Sequence, residues 1–437
     1  MNKVVFEGVR CFHDYHSSPL KPLTLLVGEN SSGKSTFLAL TRIAWDITEG
    51  DLSGDLFNEE PFLLGSYDQI ASYRGGKAGR AKSFRVGMEI PLNLSQKHSE
   101  LFSDNAVITA KFIPAGSEPK LEEWRFECGQ FSLVATTSQK SKGGLCVSIK
   151  TPIGTQDIEY PYFRSSVTPL VVLRNLRFEL SERHRPKKGQ QPILTDAELK
   201  ELQGFTSNIN RRLGLRPYAF APIRTRPLRT YDPLKEVPKP EGSHVPMVLS
   251  KYLEAKTGGN SDLKEDLTSF GIASGLFNSL EVKRKGSKES DPFQIVVKTI
   301  GPTFNLVDVG YGVSQVLPIV VDVLQNPNGS TFLLQQPEVH LHPKAQAELG
   351  SFLTSLAKER EKGFIIETHS DYLIDRIRMD VRDKKIKTED VLILYFEKKQ
   401  GGVNIYELNL DEIGNIMNVP PTYRQFFLEE ERRMLEV

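Results

Sequence analysis

Apolar and polar positions along the chain follow three rhythms. Short, nearly continuous apolar runs stand toward both ends: Leu23-Thr24-Leu25-Leu26-Val27 first, then 331–335, 363–367 and 391–396. Runs of this length bounded by turn residues predict fully buried strands, and their spacing predicts a parallel sheet. Phe293-Gln294-Ile295-Val296-Val297 is read as part of the same parallel character. Between about 82 and 180, strict alternation takes over. Phe84–Ile90, Val107–Phe112 and Cys146–Lys150 alternate apolar with polar between Gly, Ser and Pro turns, which predicts a half-buried antiparallel sheet. Helical spacing follows the first apolar run in Thr36-Phe37-Leu38-Ala39-Leu40. It starts again at Thr195-Asp196-Ala197-Glu198-Leu199, with Thr195 a candidate N-cap and Glu198 completing a capping box.

The first apolar run leads into Gly28-Glu29-Asn30-Ser31-Ser32-Gly33-Lys34-Ser35, a complete G-x-x-x-x-G-K-[ST] phosphate loop between a strand and a helix. Backbone N–H groups of such a loop surround phosphates, and the helix dipole points its positive end at them. Lys34 would reach the outer phosphates and Ser35 would hold Mg²⁺. The chain is therefore expected to bind a nucleoside triphosphate.

Two further segments carry candidate chemistry. Asp308-Val309-Gly310-Tyr311-Gly312-Val313-Ser314-Gln315 precedes an apolar stretch in which Pro318 is placed in the first turn of a helix starting near Gln315. A helix N-terminus with a Ser hydroxyl suits a terminal phosphate; an ordinary Gly turn before a core helix is the alternative. In Thr331–Pro343, four apolar residues run into Gln335-Gln336-Pro337-Glu338, the layout of a strand that organises metal and water beside a phosphate loop. His340 and His342 lack a third ligand at zinc spacing. The run Gly363-Phe364-Ile365-Ile366-Glu367 presents His369 at its tip, a position suited to phosphate sensing.

Composition narrows the partners. Lys+Arg 56 against Asp+Glu 55 excludes a wholesale basic coat but not a local patch. Such a patch could lie in Arg211–Arg229, where Arg211, Arg212, Arg216, Arg224, Arg226 and Arg229 stand among aromatics; the alternative is arginines facing carboxylates or the nucleotide. Cys11, Cys128 and Cys146 show no metal-like spacing and imply a reducing compartment. The opening Val4-Val5-Phe6 reads as a strand rather than a signal, and no apolar run approaches a membrane span. A cytoplasmic location is expected.

The order of these elements resembles the ABC-type ATPase head. More narrowly it is similar to bacterial ATPases related to the overcoming-lysogeny-defect family, and distantly to SMC-type heads. Pro337-Glu338-x-His340-Leu341-His342-Pro343 and Thr368-His369-Ser370-Asp371 carry the likeness, with Ala221-Pro222-Ile223-Arg224 and the Gly310–Gln315 signature matching more loosely. It implies an α/β P-loop fold split by an inserted antiparallel lobe. The expected divisions are 1–80 for the first part of the ATPase domain, 81–180 for the β lobe and 181–290 for a basic, partly helical insertion. The second ATPase part follows at 291–400, and a tail at 401–437.

Residue by residue, the resemblance implies that Asn30, Ser31, Ser32, Gly33, Lys34, Ser35 and Thr36 bind ATP and Mg²⁺. Gln69, or its rival Asp68, would contact the metal or the attacking water. Gly312 and Ser314 would reach ATP bound to a second copy, and His369 would be the switch histidine. A homodimer or larger even-numbered assembly follows.

The chain departs from the pattern where the family places carboxylates. Gln335 stands at the metal-supporting position and Gln336 at the water-polarising one, and glutamine accepts no proton. Glu338, two residues on, and Asp371 are the carboxylates that could act as base. Slow hydrolysis, hydrolysis through one of these, or an ATP-locked scaffold are the open outcomes, and slow hydrolysis is the reading taken. Proteins of the overcoming-lysogeny-defect type usually carry a Toprim nuclease after the ATPase, and none is found here. The resemblance therefore implies a separate effector such as a nuclease, as in Septu, retron-associated and PARIS anti-phage systems. A repair-type ATPase acting on DNA is the alternative.

Overall fold

The computed structural model describes residues 2–50, 55–76, 78–92, 100–137, 144–160, 169–180, 191–233, 237–254 and 261–423, with 429, 432, 433 and 435. Arg183–Lys188, a basic, proline-containing run that reads in the sequence as a solvated loop, lies outside the described residues. The chain forms two compact units. One comprises Met1–Leu20, Ser31–Arg216 and Lys398–Asn404; the other comprises Lys21–Asn30, Pro217–Glu397 and Ile405–Val437.

The first unit is built on an eight-stranded antiparallel sheet. Its strand order is Gly154–Tyr160, Leu145–Thr151, Phe131–Thr137, Glu118–Cys128, Asn105–Ala115, Phe84–Pro91, Lys3–Glu7 and His16–Pro19. The alternation seen in the sequence becomes one buried face, with Phe84, Val86, Met88 and Ile90 buried and Val86 opposite Ala110. Phe57, Phe84 and Phe112 pack edge-on or stacked within this core. The division expected at residue 80 falls inside this sheet, because Val4, Val5 and Phe6 pair with Met88, Gly87 and Val86. All three are buried, and a separate two-stranded ribbon could not cover them.

The helix Lys34–Glu49 belongs to the same unit and is buried on nearly every side. Trp124 Nε1 donates to Ile47 O at 3.3 Å, tying that helix to the sheet. Asp196–Leu213 forms the expected helix. Thr195 Oγ1 accepts from Glu198 N at 3.3 Å, and Glu198 Oε2 accepts from Thr195 N at 2.7 Å, which closes the capping box.

The second unit carries a six-stranded sheet in the order Tyr218–Ala219, Thr331–Gln335, Gly363–Glu367, Leu23–Gly28, Val391–Lys399 and Gly402–Leu408. Its first five strands run parallel. The three late apolar runs expected to form parallel strands do so. Phe293–Lys298 does not: it pairs antiparallel with Ser279–Arg284 and Thr303–Asn305 in a separate small sheet. Phe293, Ile295, Val296 and Val297 are all buried, so covering both faces erased the period-2 signal that marks an antiparallel strand.

Helices Tyr311–Gln325, Pro343–Glu359 and Asp371–Arg382 contribute apolar faces to one core with this parallel sheet. Lys362 is buried where the first of them ends, donating its ammonium to Val323 O and to Asn326 O, the latter at 2.8 Å. These are carbonyls that a helix C-terminus leaves without intrahelical donors. Burial, with Arg360 nearby, pushes the Lys362 ammonium down to about 8. Lys362→Met removes that donor, and urea unfolding is expected to register a loss of about 1–3 kcal/mol; an unchanged midpoint would show that the two carbonyls had found other donors.

Candidate functional site

Parallel strands bring their C-terminal ends to one edge of a sheet, where open α/β sheets bind ligands. In the second unit, Gln335 lies opposite Glu367, and Glu367 opposite Leu26. The segments leaving that edge are therefore Gln336–Glu338, Thr368–Ser370 and Gly28–Asn30. Gly28 has φ 148°, and a Cβ there would sit 2.4 Å from Phe396 O, so only glycine lets the chain leave the sheet this way. Glu29 and Asn30 are exposed beyond it.

From Ser31 the phosphate loop belongs to the first unit. Gly33 is the N-cap of Lys34–Glu49 in the left-handed region, and no side chain caps this end. A Cβ on Gly33 would meet the Phe12 ring at 2.6 Å and Cys11 Sγ at 2.7 Å. Ser32 is buried with its Oγ lacking a partner among the described residues; Lys34 and Thr36 are buried, and Ser35 is exposed.

Arg10, which the sequence did not single out, donates to Thr36 Oγ1 at 3.2 Å, Leu64 O at 3.0 Å and Gln69 O at 3.3 Å. No local motif marks it; only its three acceptors, far apart in sequence, reveal the role. The Gln69 side chain is turned to its own helix start, Oε1 accepting from Ser66 N at 2.8 Å. The rival Asp68 is exposed, with Arg80 at 3.8 Å.

Glu338 is the strand-edge carboxylate of the second unit, with 6% of its surface exposed. Its Oε1 accepts from Thr368 Oγ1 and from His369 N, both at 2.9 Å. Its Oε2 is buried and meets no partner among the described residues. Burial holds the Glu338 carboxyl above the usual range, and the His369 and Thr368 bonds and the Arg224 charge draw it partly back. Gln336 turns the chain at φ 43° while its N–H donates to Glu367 O at 2.8 Å. Buried Gln335 directs Nε2 toward Phe220 O at 3.5 Å.

Arg224 is 3% exposed and donates through NH2 to Gln335 O at 3.1 Å, while its Nε has no partner among the described residues. Burial lowers its guanidinium to about 10, which leaves it charged at neutral pH. Three of its companions are tied to neighbouring side chains. Arg216 grips Asp46 and Glu59 at 2.6–2.7 Å, Arg229 holds Asp308, and Arg211 donates to Asn208.

His369 is exposed, its backbone on Glu338. His340 is exposed at φ 69° with its ring 5.6 Å from that of Tyr311. His342 caps Pro343–Glu359, its Nδ1 accepting from Lys344 N at 3.3 Å.

The signature helix corrects one expectation. It starts at Tyr311 with Gly310 as N-cap, so Pro318 lies inside it rather than in the first turn. Val313 N bonds Gly310 O, and the helix runs through Pro318 because the ring costs it a single i−4 bond within a buried apolar stretch. Gly312 passes His340 O so closely that a Cβ would lie 2.9 Å away. Ser314 is buried, its hydroxyl donating to Tyr311 O at 3.0 Å.

Residues 163–375 match the family model described as "AAA domain, putative AbiEii toxin, Type IV TA system". Solved structures similar to the chain include an Smc head domain with a coiled coil and joint derived from Pyrococcus yayanosii, at 11% identity, covering 99% of this chain and 100% of that one, TM-score 0.44. The SMC head domain from Thermotoga maritima is 11% identical over 92% of this chain and 97% of that one, TM-score 0.37. An SmcHead bound to the C-winged helix domain of ScpA is 10% identical over 94% and 98%, TM-score 0.44. No curated protein matches.

The family match spans Glu338 and His369 but not the phosphate loop, so the two point independently to an ATPase domain. The chain therefore has an α/β fold that carries a phosphate-loop sequence and, over residues 163–375, a likeness to an AAA-type ATPase domain. No described helix is long and apolar enough to cross a membrane.

Proposed function

We propose that the chain binds ATP on its phosphate loop and hydrolyses it slowly, Glu338 acting as the base. The buried, unpartnered Oε2 of Glu338 at the sheet edge that launches Gly28 carries this reading. A base needs an acceptor atom not already taken by a donor, and this carboxylate has one.

The loop fits phosphate. Gly33 leaves the N-terminus of a long helix uncapped, and the Ser32 hydroxyl has no protein partner among the described residues. ATP supplies the phosphoanhydride bond; Lys34, Ser35 and Thr36 would hold its phosphates, and Asn30 and Ser31 would line the loop. Magnesium fits less well, since Gln335 and Gln336 offer amides and Gln69 has turned its oxygen to Ser66.

Gly312 and Ser314 would meet nucleotide on a second copy, which gives an ATP-dependent homodimer or larger even-numbered assembly. For Ser314 this requires its hydroxyl to leave Tyr311 O. His369 would sense the terminal phosphate. As a slow switch, the assembly would hold and release a separate effector such as a nuclease in bacterial anti-phage defence. The matched family's description, a toxin of a toxin–antitoxin system, suits an ATPase that restrains something harmful. A non-hydrolysing scaffold is the second reading, favoured by the glutamine pair.

Steady-state phosphate release by the full chain tests the proposal beside Lys34→Ala. Loss of one charged phosphate contact is expected to weaken ATP binding about 10- to 100-fold and to lower release with it. Tight ATP binding without release would select the scaffold. Equal release by both proteins would sink the proposal.

A further inference from the structure

Beside the helix Tyr311–Gln325 the second unit holds a cavity of about 110 Å³. Buried Leu249, Ile295, Leu306 and Leu317 form its apolar floor. Gly242 and Pro318 meet in its wall, where a Cβ on Gly242 would lie 2.5 Å from Pro318 Cβ. An apolar cavity of about 150 Å³ takes up benzene, so this one has room for a single short branched or cyclic hydrocarbon group. It is sized for a small molecule rather than for the broad surface that a macromolecular partner buries.

Two donors stand over that floor without acceptors. The Tyr231 ring is stacked on Phe293 at 5.6 Å, and its hydroxyl accepts from Leu228 N at 2.9 Å, which leaves the phenol proton unclaimed among the described residues. Burial holds that phenol above its ordinary value, so the proton is in place at neutral pH. Arg226, on the same segment, is exposed and lines the cavity, yet it meets no carboxylate among the described residues. The arginines on either side are engaged, Arg224 on Gln335 O and Arg229 on Asp308. Glu241, whose carbonyl accepts from Thr225 N at 2.9 Å, has its carboxylate engaged too: Ser243 Oγ donates to it at 3.4 Å, and Lys239 lies 4.0 Å away. A guanidinium and a phenol O–H are matched donors for a carboxylate, and the guanidinium fork fits its two oxygens.

We propose that this cavity binds a small monocarboxylic acid with a branched or cyclic apolar body, the body resting on Leu317, Ile295 and Leu306 and the carboxylate held by Arg226 and Tyr231. The bound acid braces the first turns of the helix Tyr311–Gln325 against the segment 225–231, because Ser314 and Leu317 share the cavity wall with that segment.

The experiment is a titration of the full chain, without nucleotide, with 4-methylpentanoate, read on the methyl NMR signals of the ligand. Its neutral amide, 4-methylpentanamide, is titrated beside it. The acid is expected to bind at about 0.1–1 mM, ordinary for a ligand this small, and about 10-fold more tightly than the amide. Arg226→Gln changes an exposed side chain; it is expected to weaken the acid about 10-fold and to leave the amide within about threefold. Tyr231→Phe should weaken the acid by a smaller factor. Melting curves run alongside confirm that the variants are folded, and the Arg226 comparison stands whether or not Tyr231→Phe is. Absence of saturable binding of the acid to the unmodified chain would overturn the proposal. Equal affinity for acid and amide would overturn the carboxylate as the recognised group. An acid affinity unchanged in Arg226→Gln would place the acid elsewhere and overturn the assignment of this cavity.

Discussion

Glu338→Gln is expected to lower phosphate release by about 10²- to 10⁴-fold, the usual contribution of a positioned base. ATP affinity should remain within about threefold, because the amide keeps the shape of the carboxylate and an acceptor for Thr368 and His369. The pH profile should carry the same signature. Burial raises the Glu338 carboxyl, so the acid limb of the unmodified chain's turnover should lie above the ordinary carboxylate range. Stability should move the other way. A carboxyl whose folded value exceeds its unfolded value stabilises the fold below the unfolded value, and that contribution is lost as pH rises through the folded value. Glu338→Gln, which cannot ionise, should therefore melt at the same temperature or higher once the pH passes that folded value. Melting temperature read beside phosphate release separates a lost base from a lost fold. Unimpaired release would move the base to Asp371.

The largest effect on stability is expected at Asp322, which has no exposed surface. Its carboxylate accepts from Tyr218 Oη at 2.9 Å and Gln325 Nε2 at 2.6 Å, and it meets His244 Nε2 at 2.9 Å. Lys239 N donates to His244 Nδ1 at 3.2 Å, so the imidazole is the Nε2–H tautomer and that proton points at Asp322. Burial and Asp322 push the Tyr218 phenol far above its ordinary value, which keeps it a donor. Asp322→Ala strands the buried His244 donor and takes an acceptor from half-buried Tyr218 and Gln325, and unfolding by urea should show a loss of about 2–4 kcal/mol. Asp322→Asn keeps one acceptor and should lose less. A loss under about 1 kcal/mol in the alanine variant would mean that water had replaced the carboxylate. The network joins the segment after Tyr218 to the end of the helix whose first turns carry Gly312 and Ser314, so its loss should also loosen that helix.

Strands and helices with one dominant rhythm were legible in the sequence. The runs at 331–335 and 363–367, the alternation of Phe84–Ile90 and the Thr195–Glu198 cap all reappear at the expected residues. Elements covered on both sides were less legible. Phe293–Val297 looked parallel because every side chain found cover, and Val4-Val5-Phe6 gave no sign of the sheet it would join. Pro318 misplaced a helix start because a buried apolar helix tolerates a missing N–H that a marginal one would not. At the site, Glu338 was legible as the remaining carboxylate of a strand end. Its Thr368 and His369 donors, the spare Nε of Arg224 and the Arg10 clamp depend on contacts across long stretches of chain, which no local pattern encodes.

The place of Leu23–Gly28 in its sheet also sets when the phosphate loop can first work. Its two neighbours are Gly363–Glu367 and Val391–Lys399, with Leu23 paired to Phe364 and to Val391. During synthesis every residue from Glu29 to Lys362 must be made before either edge of this strand is covered. At about 5–20 residues per second that wait is on the order of tens of seconds. The antiparallel strands from Phe84 to Tyr160 each find a partner in the next strand made. A nascent chain thus completes much of one sheet while its nucleotide-binding strand is still an exposed apolar ribbon, in need of shelter until the last parallel strand arrives.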